Sequence, residues 1–118
     1  MIALHHVQVG CPASGEPAVR RFYGDVVGLH EVGKPPVLAA RGGVWFRGDA
    51  YELHVGVEAD FRPARKAHPA FAVDDIDGVA SRLAAAGYPV EWDDDLPGYR
   101  RFYTADPHGN RVEILAAP

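Results

Sequence analysis

One spacing occurs twice in this chain. His6 is followed by Glu52 after 46 residues, and His68 by Glu113 after 45. Each histidine opens an extended run, His6-Val7-Gln8-Val9 and His68-Pro69-Ala70-Phe71-Ala72-Val73. Each glutamate sits inside another, Tyr51-Glu52-Leu53-His54-Val55 and Arg111-Val112-Glu113-Ile114-Leu115. Alternation with period two is the mark of a strand with one buried face. A chain that repeats the pattern after about sixty residues is constrained to a duplicated, strand-rich unit. Two imidazoles and two carboxylates at matched positions suggest one divalent metal site, built symmetrically.

The segments between these runs fill in the repeat. In the first half, residues 3–9 read as a strand, and Val19, Phe22, Tyr23 and Val26 lie at helical spacing over 17–27, stopped by Gly28. Residues 29–33, 43–47 and 51–57 are further strands, the last two joined by a turn at Gly48-Asp49. In the second half, 67–73 reads as a strand, and Asp74-Asp75 offers a cap for a helix ending near Gly87. Strands follow at 89–93, 100–105 and 111–116, with Asp106-Pro107-His108-Gly109-Asn110 as the hairpin turn. Both halves therefore read β-α-β-β-β. The expected fold is α+β: two βαβββ modules, about 1–58 and 67–118, in a single domain over 1–118. Helices packed on one face of the sheets leave the other, concave face free. Residues 59–66, with Arg62, Arg65 and Lys66, read as a solvated connector.

Composition narrows the function classes. With 118 residues, 47% hydrophobic and 24% charged, the chain can bury one ordinary core. Its net charge of −4 offers no basic surface, so no nucleic-acid partner is expected. No apolar run has membrane-spanning length, so no membrane partner is expected either. The start of the chain lacks a secretory pattern, which makes a cytoplasmic location the expectation. Cys11 is the only cysteine, and it reads as a structural thiol.

Neutral imidazoles with ionised carboxylates suit a divalent ion such as Zn, Ni, Fe, Mn or Co. The candidate ligands are His6, Glu52, His68 and Glu113. Burying two carboxylates on a sheet face is costly unless a cation pairs with them. His54 shares a face with Glu52 and could replace or supplement it, or line the pocket beside it; the equivalence with Glu113 favours Glu52. Of the adjacent His5 and His6 only one can face inward, and His5 is expected to point away. Gln8 shares the face of His6. Arg100 or Arg101 could pair with a substrate carboxylate or phosphate, and Tyr103 lies in the same strand. Trp45, Phe46, Trp92, Tyr99 and Phe102 divide between pocket and core. Asp93-Asp94-Asp95 reads as a solvated loop.

His6-Val7, Phe22-Tyr23-Gly24-Asp25-Val26-Val27-Gly28-Leu29, Glu52-Leu53, His68-Pro69-Ala70-Phe71 and Asp106-Pro107-His108-Gly109-Asn110-Arg111-Val112-Glu113 together resemble the vicinal oxygen chelate superfamily. That group takes in glyoxalases, bleomycin resistance proteins and extradiol dioxygenases. The resemblance covers nearly the whole chain. It departs after the first strand, where residues 11–17 are Pro-rich and lack the usual Asp. The resemblance implies an open cup-shaped mixed β-sheet with helices on the outer face, a homodimer, and a metal-dependent enzyme, a lyase or isomerase of the glyoxalase type. Such an enzyme acts on a small oxygen-chelating substrate through an enediolate-type intermediate, with Glu113 or Glu52 as base. Two alternatives accompany it. One is an Fe(II) ring-cleaving dioxygenase using three of the four ligands. The other is a non-enzymatic protein that binds an antibiotic or another small molecule.

Overall fold

Strand β1, His6–Cys11, leads through a short loop into helix α1, Glu16–Val19, which continues as a π-helix over Arg20–Val27. Then come β2 (His30–Val32), α2 (Pro36–Ala39), β3 (Val44–Arg47) and β4 (Glu52–Val57). The second half repeats the plan with β5 (Ala70–Val73), α3 (Ile76–Ala85), β6 (Glu91–Asp93), β7 (Arg101–Ala105) and β8 (Arg111–Ala116). The computed structural model describes all of residues 1–118 and divides them into two units, Met1–Pro63 and Ala64–Pro118. No helix is long and apolar enough to cross a membrane.

Each unit holds one four-stranded open sheet. The orders are β1-β4-β3-β2 and β5-β8-β7-β6, the same arrangement twice. In each, the first and last strands pair in parallel and the other neighbours pair antiparallel. Two βαβββ modules are thus present, as the sequence predicts.

Alternation sorts the side chains of each sheet. In the first unit Val44, Phe46, Leu53 and Val55 are buried, together with Val19, Phe22, Tyr23 and Val27 from the helical segment. The ring of Tyr23 lies 5.9 Å from that of Phe46. In the second, Phe71, Phe102, Val112 and Ile114 are buried, as are Ile76, Val79 and Leu83 of α3. Burying each of these large side chains stabilises the unit by about 2 kcal/mol. Polar side chains are left for the opposite face of each sheet.

Several expectations are corrected. The helix read over 17–27 is α-helical only to Val19; the wider π turns set Phe22, Tyr23 and Val27 on one buried face, and Val26 is displaced from it. Helix α2 has no strong periodic signal, being a single turn that opens on Pro36. β1 starts at His6 rather than residue 3, and residues 1–5 are exposed. β5 starts at Ala70, so His68 precedes the strand. The cap at α3 is as expected: Asp75 Oδ1 accepts from the Gly78 amide at 3.0 Å.

The Asp-Pro-His-Gly-Asn turn is structural. Asp106 Oδ1 accepts from the amides of His108 and Asn110 at 2.9 and 3.0 Å, and Asn110 Nδ2 donates to Asp106 Oδ2 at 2.9 Å. Asn110 Oδ1 then accepts from the Ala64 amide at 3.0 Å, tying the hairpin to the first residue of its unit. Both side chains are buried, so the bonds satisfy groups that would otherwise be costly to hide.

Candidate metal and substrate site

In the first unit, register puts six polar or aromatic residues on the face away from the helices. His6 is level with Glu52, Gln8 with His54, Trp45 with His54, and Arg47 with Glu52. Three rings stack across three strands. Trp45 and His54 are 3.8 Å apart and within 2° of parallel; His54 and His6 are 4.3 Å apart at 16°. The buried His54 ring can move little between those neighbours, and its Nε2 lies 2.9 Å from Glu52 Oε1. Arg47 donates to the other oxygen at 3.3 Å. The bond from His54, then the Arg47 guanidinium, hold the Glu52 carboxyl below its usual range against partial desolvation. A cavity of about 440 Å³ opens over this face, with His6, Gln8, Trp45, Glu52 and His54 at one end. His5 does not point away: its Nδ1 lies 2.9 Å from His6 Nδ1, and it lines the same cavity.

In the second unit the corresponding face is a network of charges. Glu113 is level with Ala70 on one side and Tyr103 on the other. Its Oε1 lies 2.9 Å from His68 Nε2, and its Oε2 accepts from Arg101 at 3.2 Å. Arg101 also donates through Nε to Asp93 at 3.0 Å. Tyr103 sits under Arg111, 3.9 Å from ring centre to guanidinium, with the His68 ring edge-on at 5.5 Å. Glu113 retains only 6% side-chain exposure, against 21% for Glu52.

The predicted residues therefore fall as follows. His68 meets Glu113, Glu52 meets His54, and His6 stacks on His54. Gln8 and Trp45 line the cavity of the first unit, and Tyr103 and Arg101 surround Glu113. Arg100 turns to the helix side of its sheet, in a two-pronged pair with Asp77 at 3.0 Å. Phe46 and Phe102 belong to the core, while Trp92 and Tyr99 are exposed. Asp93 is not part of a solvated loop but a member of β6 that anchors Arg101. The pairing of Arg47 with Glu52, and of Arg101 with Glu113 rather than with a substrate carboxylate, is not evident from the sequence. Hairpin register from the turns at 48–51 and 106–110 is the signal that finds these pairs.

The histidines are not equivalent in register. His6 is level with Glu52, whereas Ala70, two residues after His68, is level with Glu113. His68 instead reaches its glutamate from the loop ahead of β5. Its Nδ1 donates to the Lys66 carbonyl at 2.9 Å, which directs Nε2 at the carboxylate. A neutral imidazole in that tautomer would face Glu113 acceptor to acceptor. The contact calls for a positive charge between them, a proton or a metal ion. Imidazole nitrogen beside carboxylate oxygen fits a divalent ion on donor chemistry. Neither unit by itself gathers three His, Cys, Asp or Glu side chains into a cage.

Residues 4–114 match the profile of the Glyoxalase/Bleomycin resistance protein/Dioxygenase superfamily. The chain belongs to this superfamily. Among solved structures it is similar to a glyoxalase family protein from Bacillus anthracis, 42% identical with a TM-score of 0.94 over 100% of this chain and 97% of that one. It also resembles lactoylglutathione lyase from Agrobacterium tumefaciens, 25% identical, TM-score 0.74, over 98% and 93%. The fosfomycin resistance protein FosX from Listeria monocytogenes shares the fold at 15% identity and TM-score 0.78, over 100% and 95%. A search of curated proteins finds no match.

Proposed function

We propose that the protein is a metal-dependent enzyme of the glyoxalase type that removes a proton beside an oxygen function of a small substrate. His6, Glu52, His68 and Glu113 would supply the ligands, with His54 as an alternative to Glu52. The observation that carries the reading is His68, whose Nδ1 is committed to a carbonyl and whose Nε2 is aimed at a buried carboxylate. A divalent ion held there would supply Lewis-acid polarisation to a carbonyl or hydroxyl oxygen of the substrate.

The chain's own residues divide the remaining work. Glu52 is the better placed of the two glutamates to take a proton, because it lines the cavity and keeps more exposure. Its partner Arg47 is 60% exposed and can swing aside to free Oε2. His54, clamped by Trp45 and His6, holds the other oxygen in place. Gln8 offers an amide to a substrate oxygen from the adjacent strand. Arg101 is already engaged by Glu113 and Asp93, so it orients Glu113 rather than binding substrate. Proton removal of this kind opens isomerase, epimerase and lyase reactions alike.

Metal analysis of the purified protein, with His68→Ala beside the parent, tests the reading. Stoichiometric Ni, Zn, Co or Mn that is lost with His68 supports it. Oxygen-sensitive Fe(II) would favour a ring-cleaving dioxygenase, and absence of affinity for any of these ions would favour a small-molecule binding protein. A homodimer accompanies the proposal, and light scattering at micromolar concentration checks it.

A further inference from the structure

The cavity of the first unit has a second end, and its chemistry is different. Its floor runs along β4 from Glu52 to Val57, and residues 34–42 form the wall at the far end. Gly42 packs on Val57, since a methyl group added there would meet Val57 Cγ2 at 3.1 Å. Gly43 has φ +89° and leaves no room for a side chain against the Val55 carbonyl, so the wall is pressed directly onto the strand. At the floor, Gly56 leaves space that Gln8 Nε2 approaches, 2.7 Å from where a Cβ would be. Four residues of strand separate Glu52 from Gly56, about 13 Å.

Two cations line that end, Lys34 and Arg41. Lys34 is half-buried and gives one hydrogen to the Gly42 carbonyl, which fixes the ammonium and leaves two donors. Arg41 is exposed and forms no ion pair. The acid beside them is Glu16, which accepts from the Gly43 amide at 3.2 Å and feels the charges of Arg20 and Lys34. One carboxylate against two cations leaves a positive excess. Apolar surface from Trp45 and Leu38 also lines the cavity.

We propose that Lys34 and Arg41 form an oxyanion subsite. The substrate would then be an elongated small molecule with an oxygen-rich head at Glu52 and a carboxylate or phosphate tail at Lys34 and Arg41. What sits at the head rests on the metal-enzyme reading above; the cationic end stands without it.

The first test uses metal-free protein. Inorganic phosphate and, separately, acetate are titrated at constant ionic strength while the amide resonances of Gly42 and Gly43 are followed by NMR. Saturable shifts centred on 34–43 are expected, weakened about tenfold in Arg41→Gln and in Lys34→Gln. The anion that binds more tightly identifies the tail as phosphate or carboxylate. Absence of saturation, or equal shifts in the variants, overturns the subsite. The second test loads the protein with zinc and compares suberic acid monohydroxamate with its methyl ester. The acid is expected to bind about tenfold more tightly than the ester, with the difference gone in Arg41→Gln. Equal binding of acid and ester by the parent sinks the subsite and spares the metal reading. Binding of phosphate to metal-free protein with no binding of either hydroxamate to the zinc-loaded protein does the reverse.

Discussion

Glu52 and Glu113 occupy the same strand of two copies of one module, and each is gripped by one imidazole and one guanidinium. The grips are built from different parts. Glu52 takes its imidazole from His54, two residues along its own strand, and its guanidinium from Arg47 directly across the hairpin. Glu113 takes His68 from a loop and Arg101 from a diagonal position, and Arg101 is itself anchored by Asp93. The first arrangement is open and faces a cavity; the second is closed. The two modules share the carboxylate and the sheet order, while the groups that hold each carboxylate differ. The open copy is suited to meeting substrate, and the closed copy to keeping a charge in a fixed place.

The strongest way to break this comparison is to remove each glutamate in turn. Glu113→Ala should lower metal content and activity by roughly a hundredfold or more, with the circular dichroism unchanged because the backbone pairing of β8 does not depend on this side chain. Glu52→Gln should lower turnover severely but retain more metal, since a base is lost while one side-chain oxygen remains. Elemental analysis beside steady-state rates separates the two. Equal metal loss in both variants would mean that the open and closed sites do not differ in role.

A second contrast concerns the guanidiniums. Arg101→Met leaves Glu113 and Asp93 without the cation they share, in a place where water screens poorly. Arg47→Met removes one long bond at an exposed position. A clear drop in the urea midpoint is expected for the first and a shift near experimental error for the second. Similar midpoints for the two variants would show that the network around Glu113 is no tighter than that around Glu52.

The helices sharpen the comparison at smaller cost. α3 has a side-chain cap in Asp75, whereas α1 starts at Gly15 without one and depends on its continuation into the π-helix. Asp75→Ala should destabilise the protein by about 1 kcal/mol in chemical denaturation. A neutral result would mean that the second helix, like the first, is held by packing alone.

Much of this was legible in the sequence because it follows from period and punctuation. Strand alternation placed Glu52 and Glu113 on the faces away from the helices, and Asp75 and the Asp106–Asn110 turn marked element ends. What was not legible depends on register and packing. A two-residue offset between His6 and His68 leaves the side-chain parity unchanged, so alternation could not reveal it. The π-helix brings Tyr23 against Phe46 of β3, a tertiary contact that no local propensity encodes. Arg100 and Arg101 are adjacent, and only the pairing of β7 with β8 tells which one shares a face with Glu113.

The smallest effect belongs to the arginine that left the site. Arg100 pairs with Asp77 in the first turn of α3, and the bond from Arg100 lowers the Asp77 carboxyl below its ordinary value near 3.8. A carboxyl lowered in the folded state contributes stability that is fully present above the unfolded value and is lost as pH falls through the folded one. The helix N-terminus acts in the same direction, because it favours the ionised form. Both side chains are well exposed, so solvent and salt screen the pair and the contribution is slight. Asp77→Asn should therefore be marginally less stable than the parent across neutral pH, and the difference should close in acid, below pH 3.8. Urea denaturation of the two proteins at matched pH values, repeated in high salt, measures it. A difference that widens in acid, or one that salt leaves untouched, would show that Asp77 acts through something other than its charge.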